Sequence, residues 1–149
     1  MNGNALWQFG WKDDLAIGDA TIDAQHRAFF TEAEQIRVAL MSDEPKARIL
    51  EYCASFLAAL RVHFHDEEQL MGRVGFPGLR DHQLEHSRLL AQTEETYHEL
   101  EQATCLIDCL LGTRALLERL AEHIAHDDVN IRPYTGESDV RACDTAGRR

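Results

Sequence analysis

Five histidines and one glutamate stand where apolar residues would otherwise complete the inward faces of helices. These residues are His26, His63, Glu67, His82, His86 and His123. Burying each such polar group without a partner would cost about 2–7 kcal/mol. A single inward histidine is most often a hydrogen-bonded core residue. Five histidines distributed over four helical stretches indicate a shared partner instead, and a metal centre provides one.

Two pairs among these residues each share a helix face. His63 and Glu67 are four positions apart, as are His82 and His86, and residues at this spacing project side by side from a helix. Imidazole and carboxylate ligands without an inward cluster of thiolates suit iron, or in principle zinc, copper or manganese. Each pair therefore predicts two ligands of a metal site built between helices.

A seventh ligand is predicted after His123. Asp127 and Asp128 lie four and five positions further on. Ideal helical geometry favours Asp127, because five residues advance about 140° beyond a full turn. Periodicity alone leaves both aspartates open.

The number of ligands indicates two metals. Zinc usually takes four ligands, so a set of seven suits two metals that share bridging carboxylates. If Glu67, one aspartate and a solvent-derived hydroxide all bridge, five histidines divide three and two between the metals. One metal is then six-coordinate. The other is five-coordinate and keeps one open position, where a small ligand would bind.

The elements that must position these residues show the 3/4 alternation of a helix face. The four inward stripes run from Ile22 to Leu40, Ile49 to Leu70, Leu79 to Leu100 and Leu106 to His123. Breaks fall at residues 42–45, where Pro45 suits a first helical turn, at 75–78, and near 102–104, where Thr104 is a candidate cap. Short connections make neighbouring helices antiparallel, which predicts an all-α, up-down-up-down antiparallel four-helix bundle.

Two flanking segments lack the helical period. Residues 1–18 are predicted to form an extended N-terminal arm that packs on the bundle of about residues 19–134. Its aromatic residues are Trp7, Phe9 and Trp11. Residues 135–149 are predicted to be a polar, disordered C-terminal tail. The chain is therefore expected to hold a single domain over residues 1–134, followed by the tail.

The composition excludes several classes of partner. The 149-residue chain has 15 Lys plus Arg against 26 Asp plus Glu, and its formal net charge of -11 argues against binding to nucleic acid or an anionic membrane. No apolar run is long enough for a membrane span and no signal peptide is recognisable, so a cytoplasmic location is expected. Cys105 and Cys109 are expected to be buried apolar residues, and Cys143 a free thiol in the tail.

The same residues resemble the motifs of the hemerythrin family, most closely of its bacterial single-domain branch, the bacteriohemerythrins. The similar segments are Trp11 with Ile17-Gly18, Ile22-Asp23-x-Gln25-His26, His63-Phe64-x-x-Glu67-Glu68-x-x-Met71, Phe76-Pro77 with His82-x-x-x-His86, and His123-Ile124-x-x-x-Asp128. They span Trp11 to Tyr134 and are highly specific together. The family's last motif has histidine and aspartate five positions apart, so the resemblance selects Asp128 over Asp127.

The resemblance also implies an assignment of the ligands. His82, His86 and His123 would hold a six-coordinate iron, and His26 and His63 a five-coordinate iron. Glu67, Asp128 and a hydroxide or oxide would bridge the two ions. In this family dioxygen binds at the open iron, oxidises both ions from ferrous to ferric and is held as a hydroperoxide. The chain is then expected to be a reversible oxygen-binding protein for storage, delivery or sensing, and not an enzyme.

Four apolar residues near the ligands are expected to surround the oxygen and exclude water: Phe29, Phe64, Leu120 and Ile124. Five imidazoles against two carboxylates should favour the ferrous state and disfavour cleavage of dioxygen. Two positions depart from the family. Arg119 replaces a usual tryptophan, and either points outward or makes the pocket more polar. Ile131 replaces an aromatic residue, for which Tyr134 is a partial substitute.

The alternative function is a di-iron enzyme, or a protein that handles peroxide or nitric oxide at the same centre. Arg119 is the one feature that favours it. Glu68 is expected either to hydrogen-bond a ligand histidine or to be a solvated surface residue. An oxygen carrier of this kind is expected to be a monomer whose partner is an enzyme that consumes oxygen.

Overall fold

Four amphipathic stretches of the sequence fold as helices in the computed structural model, which describes residues 10–136. The helices are α1 (Ala20–Met41), α2 (Lys46–Val74), α3 (Leu79–Gln102) and α4 (Leu110–His126), with short 3₁₀ segments at Asp13–Leu15, Leu106–Cys109 and Asp128–Ile131. Each helix packs against the next, and α4 packs back on α1. The prediction of an all-α, antiparallel four-helix bundle is confirmed.

Local signals in the sequence set the ends of the helices. The side chain of Asp19 caps α1 by accepting a hydrogen bond from the backbone N–H of Ile22 at 3.0 Å. Pro45 is the N-cap of α2, one position before its expected place in the first turn, because the helix begins at Lys46. Gly75 ends α2 in the left-handed region at φ 70°, which glycine adopts readily because it has no Cβ.

The fourth helix begins later than the sequence period suggests. Leu106–Cys109 is a 3₁₀ segment, and the α-helix starts only at Leu110. The N-cap position before the 3₁₀ segment is held by Cys105 and not by Thr104. Cys105 is exposed and Cys109 half-buried, so the expectation that both are buried is wrong. Residues four apart no longer share a face when the chain turns with three residues per turn.

Two apolar layers fill the interior, and a polar layer separates them along the helices. The larger layer includes Phe29, Phe56, Leu60, Leu89, Leu116 and Leu120. The smaller layer contains Ile17, Ile22, Leu70, Met71 and Ile131. On α1, for example, His26 lies between Ile22 of the smaller layer and Phe29 of the larger one. No helix among residues 10–136 combines the length and apolar character needed to cross a membrane.

The segment before α1 is fixed to the bundle mainly through its backbone. The buried carboxylate of Asp23 accepts hydrogen bonds from the backbone N–H groups of Ile17 at 2.8 Å and Gly18 at 3.3 Å. The guanidinium carbon of Arg27 lies 4.7 Å from the centre of the Trp11 ring, which is a cation–π contact. This part of the predicted arm therefore contacts α1, whereas Trp7 and Phe9 lie outside the described residues.

The chain after the last 3₁₀ segment returns to this arm. Residues 132–136 are helical. Arg132 donates from Nε to the carbonyl oxygen of Ala16 at 2.7 Å, and Thr135 donates to the carbonyl oxygen of Ile17. The disordered tail stays a prediction: its first two residues belong to this helical turn, while residues 137–149, with Cys143, lie outside the described part.

Candidate metal centre

All four helices place side chains in the polar layer. The donors are His26 on α1, His63 and Glu67 on α2, His82 and His86 on α3, His123 on α4, and Asp128 at the start of the last 3₁₀ segment. All seven side chains are buried, and the accessible surface of His26, Glu67 and Asp128 is 0%. The structure thus brings together every residue that the sequence predicted as a ligand.

The two carboxylate oxygens of Glu67 face opposite sides of this cluster. Oε1 lies 2.9 Å from Nε2 of His82 and 3.2 Å from Nε2 of His86. Oε2 lies 3.2 Å from Nε2 of His26 and 3.4 Å from Nε2 of His63. A carboxylate in this position can give one oxygen to each of two cations.

Asp128 divides its oxygens in the same way. Oδ1 lies 2.9 Å from Nε2 of His82 and 3.0 Å from Nε2 of His123, whereas Oδ2 lies 3.0 Å from Nε2 of His26. The cluster therefore has a three-histidine half (His82, His86 and His123) and a two-histidine half (His26 and His63). Within each half, together with the two carboxylates, one ligand atom from each residue lies within 4.8 Å of all the others.

Several of these close contacts lack the direction of a hydrogen bond. Oε2 of Glu67 and both carboxylate oxygens of Asp128 lie beside imidazole nitrogens without accepting a well-directed hydrogen bond from the described residues. The Nε2 atoms of His26 and His63 approach to 3.2 Å, and those of His86 and His123 to 3.1 Å. Burying anionic oxygens without well-directed donors raises the free energy of the folded state, and so does bringing imidazole nitrogens this close together. A cation in each half would satisfy both, so the donor set fits metal ions.

The pKa values in the cluster reflect the same need for positive charge. Burial disfavours the imidazolium form, but the carboxylates of Asp128 and Glu67 outweigh burial and raise the pKa of His26 and of His82 to about 9. Burial dominates at His63 and lowers its pKa to about 4. Burial would raise the pKa of Asp128, yet the surrounding imidazoles hold it well below its usual range. Metal ions would replace these protons.

The outer nitrogen of His63 is held by an amide. Nδ1 of His63 donates to Oε1 of Gln25 at 2.8 Å, and Nε2 of Gln25 in turn donates to Oδ2 of Asp66 at 2.8 Å. This arrangement fixes the ring so that Nε2 points into the cluster. Sequence reasoning gave Gln25 no role of its own, although it directly precedes His26 in the motif.

Carboxylates hold two imidazoles of the three-histidine half. Nδ1 of His86 donates to Glu68 at 2.9 Å, and Nδ1 of His123 donates to Asp127 at 2.8 Å. Of the two expectations for Glu68, the contact with a histidine is therefore the one observed. The carboxylate–imidazole pairs orient both rings and make Nε2 a stronger electron donor toward a metal.

The end of α4 explains why Asp128, and not Asp127, faces inward. The α-helix ends at His126, and the chain enters the 3₁₀ segment at Asp128. Ideal α-helical rotation therefore does not extend to Asp128, and the geometric preference for Asp127 is wrong. The side chain of Asp127 is 51% exposed and lies on the outer side of His123.

An apolar cavity of about 80 Å³ adjoins both halves of the cluster, between α1, α2 and α4. Phe29, Phe64, Leu120 and Ile124 line it together with His63 and His123. Phe64 also stacks on the imidazole of His86, with ring centres 3.9 Å apart and planes inclined by 11°. The four residues expected to surround oxygen thus share one cavity beside the cluster.

The two departures from the family pattern lie away from this cavity. Arg119 is exposed and does not line it, so the outward orientation is the one observed. Ile131 is fully buried in the smaller apolar layer. The ring of Tyr134 lies 5.4 Å from that of Phe76, which lies 6.4 Å from the imidazole of His82.

Every helix of this bundle contributes a buried imidazole, and the two halves of the cluster share two carboxylates. These features define a class of metal-binding helical bundles. A family model described as "Hemerythrin HHE cation binding domain" matches residues 18–134, and the chain belongs to the hemerythrin family. This confirms the resemblance predicted from the motifs.

Relatives with known names agree with this assignment. The chain is 31% identical over 125 residues to a bacteriohemerythrin of Ralstonia nicotianae. This alignment covers 84% of this chain and 85% of that protein. It is 31% identical over 119 residues to a bacteriohemerythrin of Stenotrophomonas maltophilia, and the alignment covers 79% of this chain and 75% of that protein. A myohemerythrin of Riftia pachyptila is 25% identical over 99 residues, and the alignment covers 63% of this chain and 72% of that protein. No solved structure matches the chain.

Proposed function

We propose that this protein binds two iron ions in the polar layer and binds dioxygen reversibly beside them. The observation that carries the proposal is the orientation of the Glu67 and Asp128 carboxylates. Each carboxylate points one oxygen toward the three-histidine half and the other toward the two-histidine half. The cation-binding description of the family and the names of the relatives support it. Oxygen storage, delivery and sensing are all compatible with such binding.

The two halves would hold one ion each. His82, His86 and His123 would bind one ion, and His26 and His63 the other. Glu67 and Asp128 would bridge, together with a hydroxide or oxide from solvent. With fewer histidines, the ion of the two-histidine half would keep one position open for a small ligand. Imidazole nitrogens and carboxylate oxygens suit iron among the first-row metals.

The protein's own residues would make the binding reversible. Two ferrous ions held there would supply the two electrons that dioxygen takes up on binding and gives back on release. The side chains that form the apolar walls and exclude water are Phe29, Leu120 and Ile124. Excluding water also excludes the protons that would allow the bound oxygen to leave as peroxide. Gln25 holds the ring of His63 from outside, so this ligand keeps its position when a small molecule enters.

We propose a binding protein rather than an enzyme. The enzymatic alternative depended on a polar pocket created by Arg119, and Arg119 is exposed and outside the cavity lining. The further expectations of a cytoplasmic monomer and an oxygen-consuming partner enzyme belong to the same proposal.

The optical spectrum of the iron-loaded protein tests this function. Ferrous protein, prepared without oxygen and containing two iron ions per chain, should develop near-ultraviolet and visible charge-transfer bands in air and lose them when oxygen is removed. His63→Ala should abolish the bands. His65→Ala, at an exposed position two residues away, is the matched control and should leave them unchanged. Rapid, irreversible conversion of the wild type to the ferric form would refute reversible binding.

A further inference from the structure

The cavity beside the cluster opens at one side, between α1 and α2. Most of its lining residues are buried, including Phe56, Leu60 and Leu120. Ala28 of α1 and Ala59 of α2 are exposed lining residues, and Gln25 and Glu32 are half-buried ones. We call these four residues the cavity mouth. Two alanines leave space between the helices there, and Gln25 and Glu32 flank Ala28 on the same face of α1 because they lie three and four positions from it.

Glu32 is the one carboxylate among the described residues that line this cavity. The amide of Gln25 is engaged by His63 and Asp66, whereas Glu32 forms no ion pair within residues 10–136. Glu32 is half-buried in the cavity lining, so its carboxylate is partly removed from water, and this burial raises its pKa. The other titratable groups lining the cavity are His63 and His123, at its inner end.

A partly desolvated negative charge at a narrow entrance acts differently on neutral and anionic molecules. It repels a monoanion strongly, because low-dielectric walls screen the charge less than water does. A neutral diatomic molecule passes without this penalty. The remaining lining is apolar apart from Gln25 and the two histidines, so no lysine or arginine of the lining compensates the charge.

We propose that Glu32 is a specificity-determining residue that slows the entry of small anions to the centre and leaves the entry of neutral diatomic molecules unhindered. The inference rests on the proposed function and deepens it, since it names the class of ligand that the mouth selects. It assigns Glu32 no contact with the metal ions and no part in electron transfer.

The test compares an anionic and a neutral probe in Glu32→Gln, which removes the charge at almost constant shape. Azide association with the ferric protein and nitric oxide association with the ferrous protein are measured by stopped-flow absorbance at low ionic strength. Azide should bind about 3- to 30-fold faster in E32Q, the range expected for one charge acting over a few ångströms through a dielectric between protein and water. High salt should shrink the difference, and nitric oxide association should stay within about twofold.

Glu34→Gln is the matched control, because Glu34 lies on the same helix, carries the same charge and pairs with Arg37 outside this cavity. It should change neither rate. Unchanged azide association in E32Q, or an equal increase for azide and nitric oxide, would overturn the proposal.

Two further measurements separate the possible failures. In the iron-free protein, the carboxyl carbon of Glu32 should titrate at higher pH than that of Glu34 by nuclear magnetic resonance. Ala28→Phe should slow both probes; if it slows neither, the mouth is not the route and the inference fails. Failure of the wild type to load two iron ions would instead refute the proposed function.

Discussion

Asp127 accepts a hydrogen bond from Nδ1 of His123 at 2.8 Å, while Nε2 of the same ring faces Oδ1 of Asp128 at 3.0 Å. Two consecutive aspartates therefore engage the two nitrogens of one imidazole, one from outside and one from inside. This is possible because the α-helix ends at His126 and the chain enters a 3₁₀ segment at Asp128. The two carboxylates consequently have different tasks, orientation for Asp127 and proposed ligation for Asp128.

Substituting these aspartates separately should distinguish the two tasks. Asp127→Ala should keep two iron ions per chain but weaken their binding about 10- to 100-fold, the usual effect of losing an outer partner of a ligand histidine. Asp128→Ala should fail to bind the pair. Iron content and chelator competition would measure both effects. Equal iron affinity in the two variants would contradict the assignment of Asp128 as the bridging residue.

Loss of the Gln25 amide should loosen the two-histidine half alone. In Gln25→Leu, Nδ1 of His63 loses its acceptor, so iron affinity should fall about 10-fold while the side-chain volume is nearly kept. Gln35→Leu is the control, since this residue is exposed on the same helix. Mössbauer spectroscopy resolves the two iron environments and should show a change in one of them. A uniform change in both, or a change in the control, would argue against a local effect.

The metal-free protein should lose stability in mild alkali. Because the pKa of His26 and of His82 is raised from 6.5 to about 9, their stabilising contribution is full below about pH 6.5 and is lost as the pH rises through about 9. The melting temperature should therefore fall by several degrees over this interval. The iron-loaded protein should show a much smaller decrease, because metal ions replace the protons. A double substitution of His26 and His82 by Gln should flatten the metal-free profile, and a profile that rises with pH would contradict the prediction.

The apolar wall of the cavity can be weakened without touching a donor. Leu120→Ala should cost about 2–5 kcal/mol of stability and admit water, so irreversible oxidation of the iron-loaded protein should accelerate. Leu116→Ala is the matched control: Leu116 is equally buried on the same helix but lines a different cavity. It should lose similar stability and keep the oxidation rate of the wild type. Equal acceleration in both variants would point to general destabilisation.

The described thiols should differ widely in reactivity. Burial raises the pKa of the Cys53 thiol to about 11, and the side chain lies in the larger apolar layer, whereas Cys105 is exposed. At about pH 8, a thiol reagent should label Cys105 quickly and Cys53 only after unfolding. Peptide mass spectrometry identifies the labelled residue and separates Cys105 from Cys109 and Cys143. Rapid labelling of Cys53 in the folded protein would contradict its burial.

The bundle and the convergence of its polar residues could be predicted because both depend on periodicity. The four-residue step from His63 to Glu67 is a property of any α-helix, so it survives packing. The position of Asp128 could not be predicted this way, since it depends on where α4 ends. Neither could the exposure of Cys105, which precedes a 3₁₀ segment that sequence period alone does not distinguish from an α-helix.

The outer partners were the least accessible to sequence reasoning. Whether Glu68 meets solvent or His86 depends on how α2 and α3 pack, and a sequence pattern contains no information on that distance. Gln25 illustrates the same limit, because its contact with His63 joins two helices and is visible only when both are in place. The residue types near a site were thus easier to foresee than their pairings.

The donors of the polar layer come from all four helices, and this has a kinetic consequence. Two ions held in this way would act as cross-links between every pair of neighbouring helices, so neither could leave through the displacement of a single loop. Exchange of iron would then require at least two helices to move apart, an opening that is rarer than the displacement of a loop. A centre that binds and releases its small ligand through a cavity would therefore exchange its metal far more slowly than that ligand.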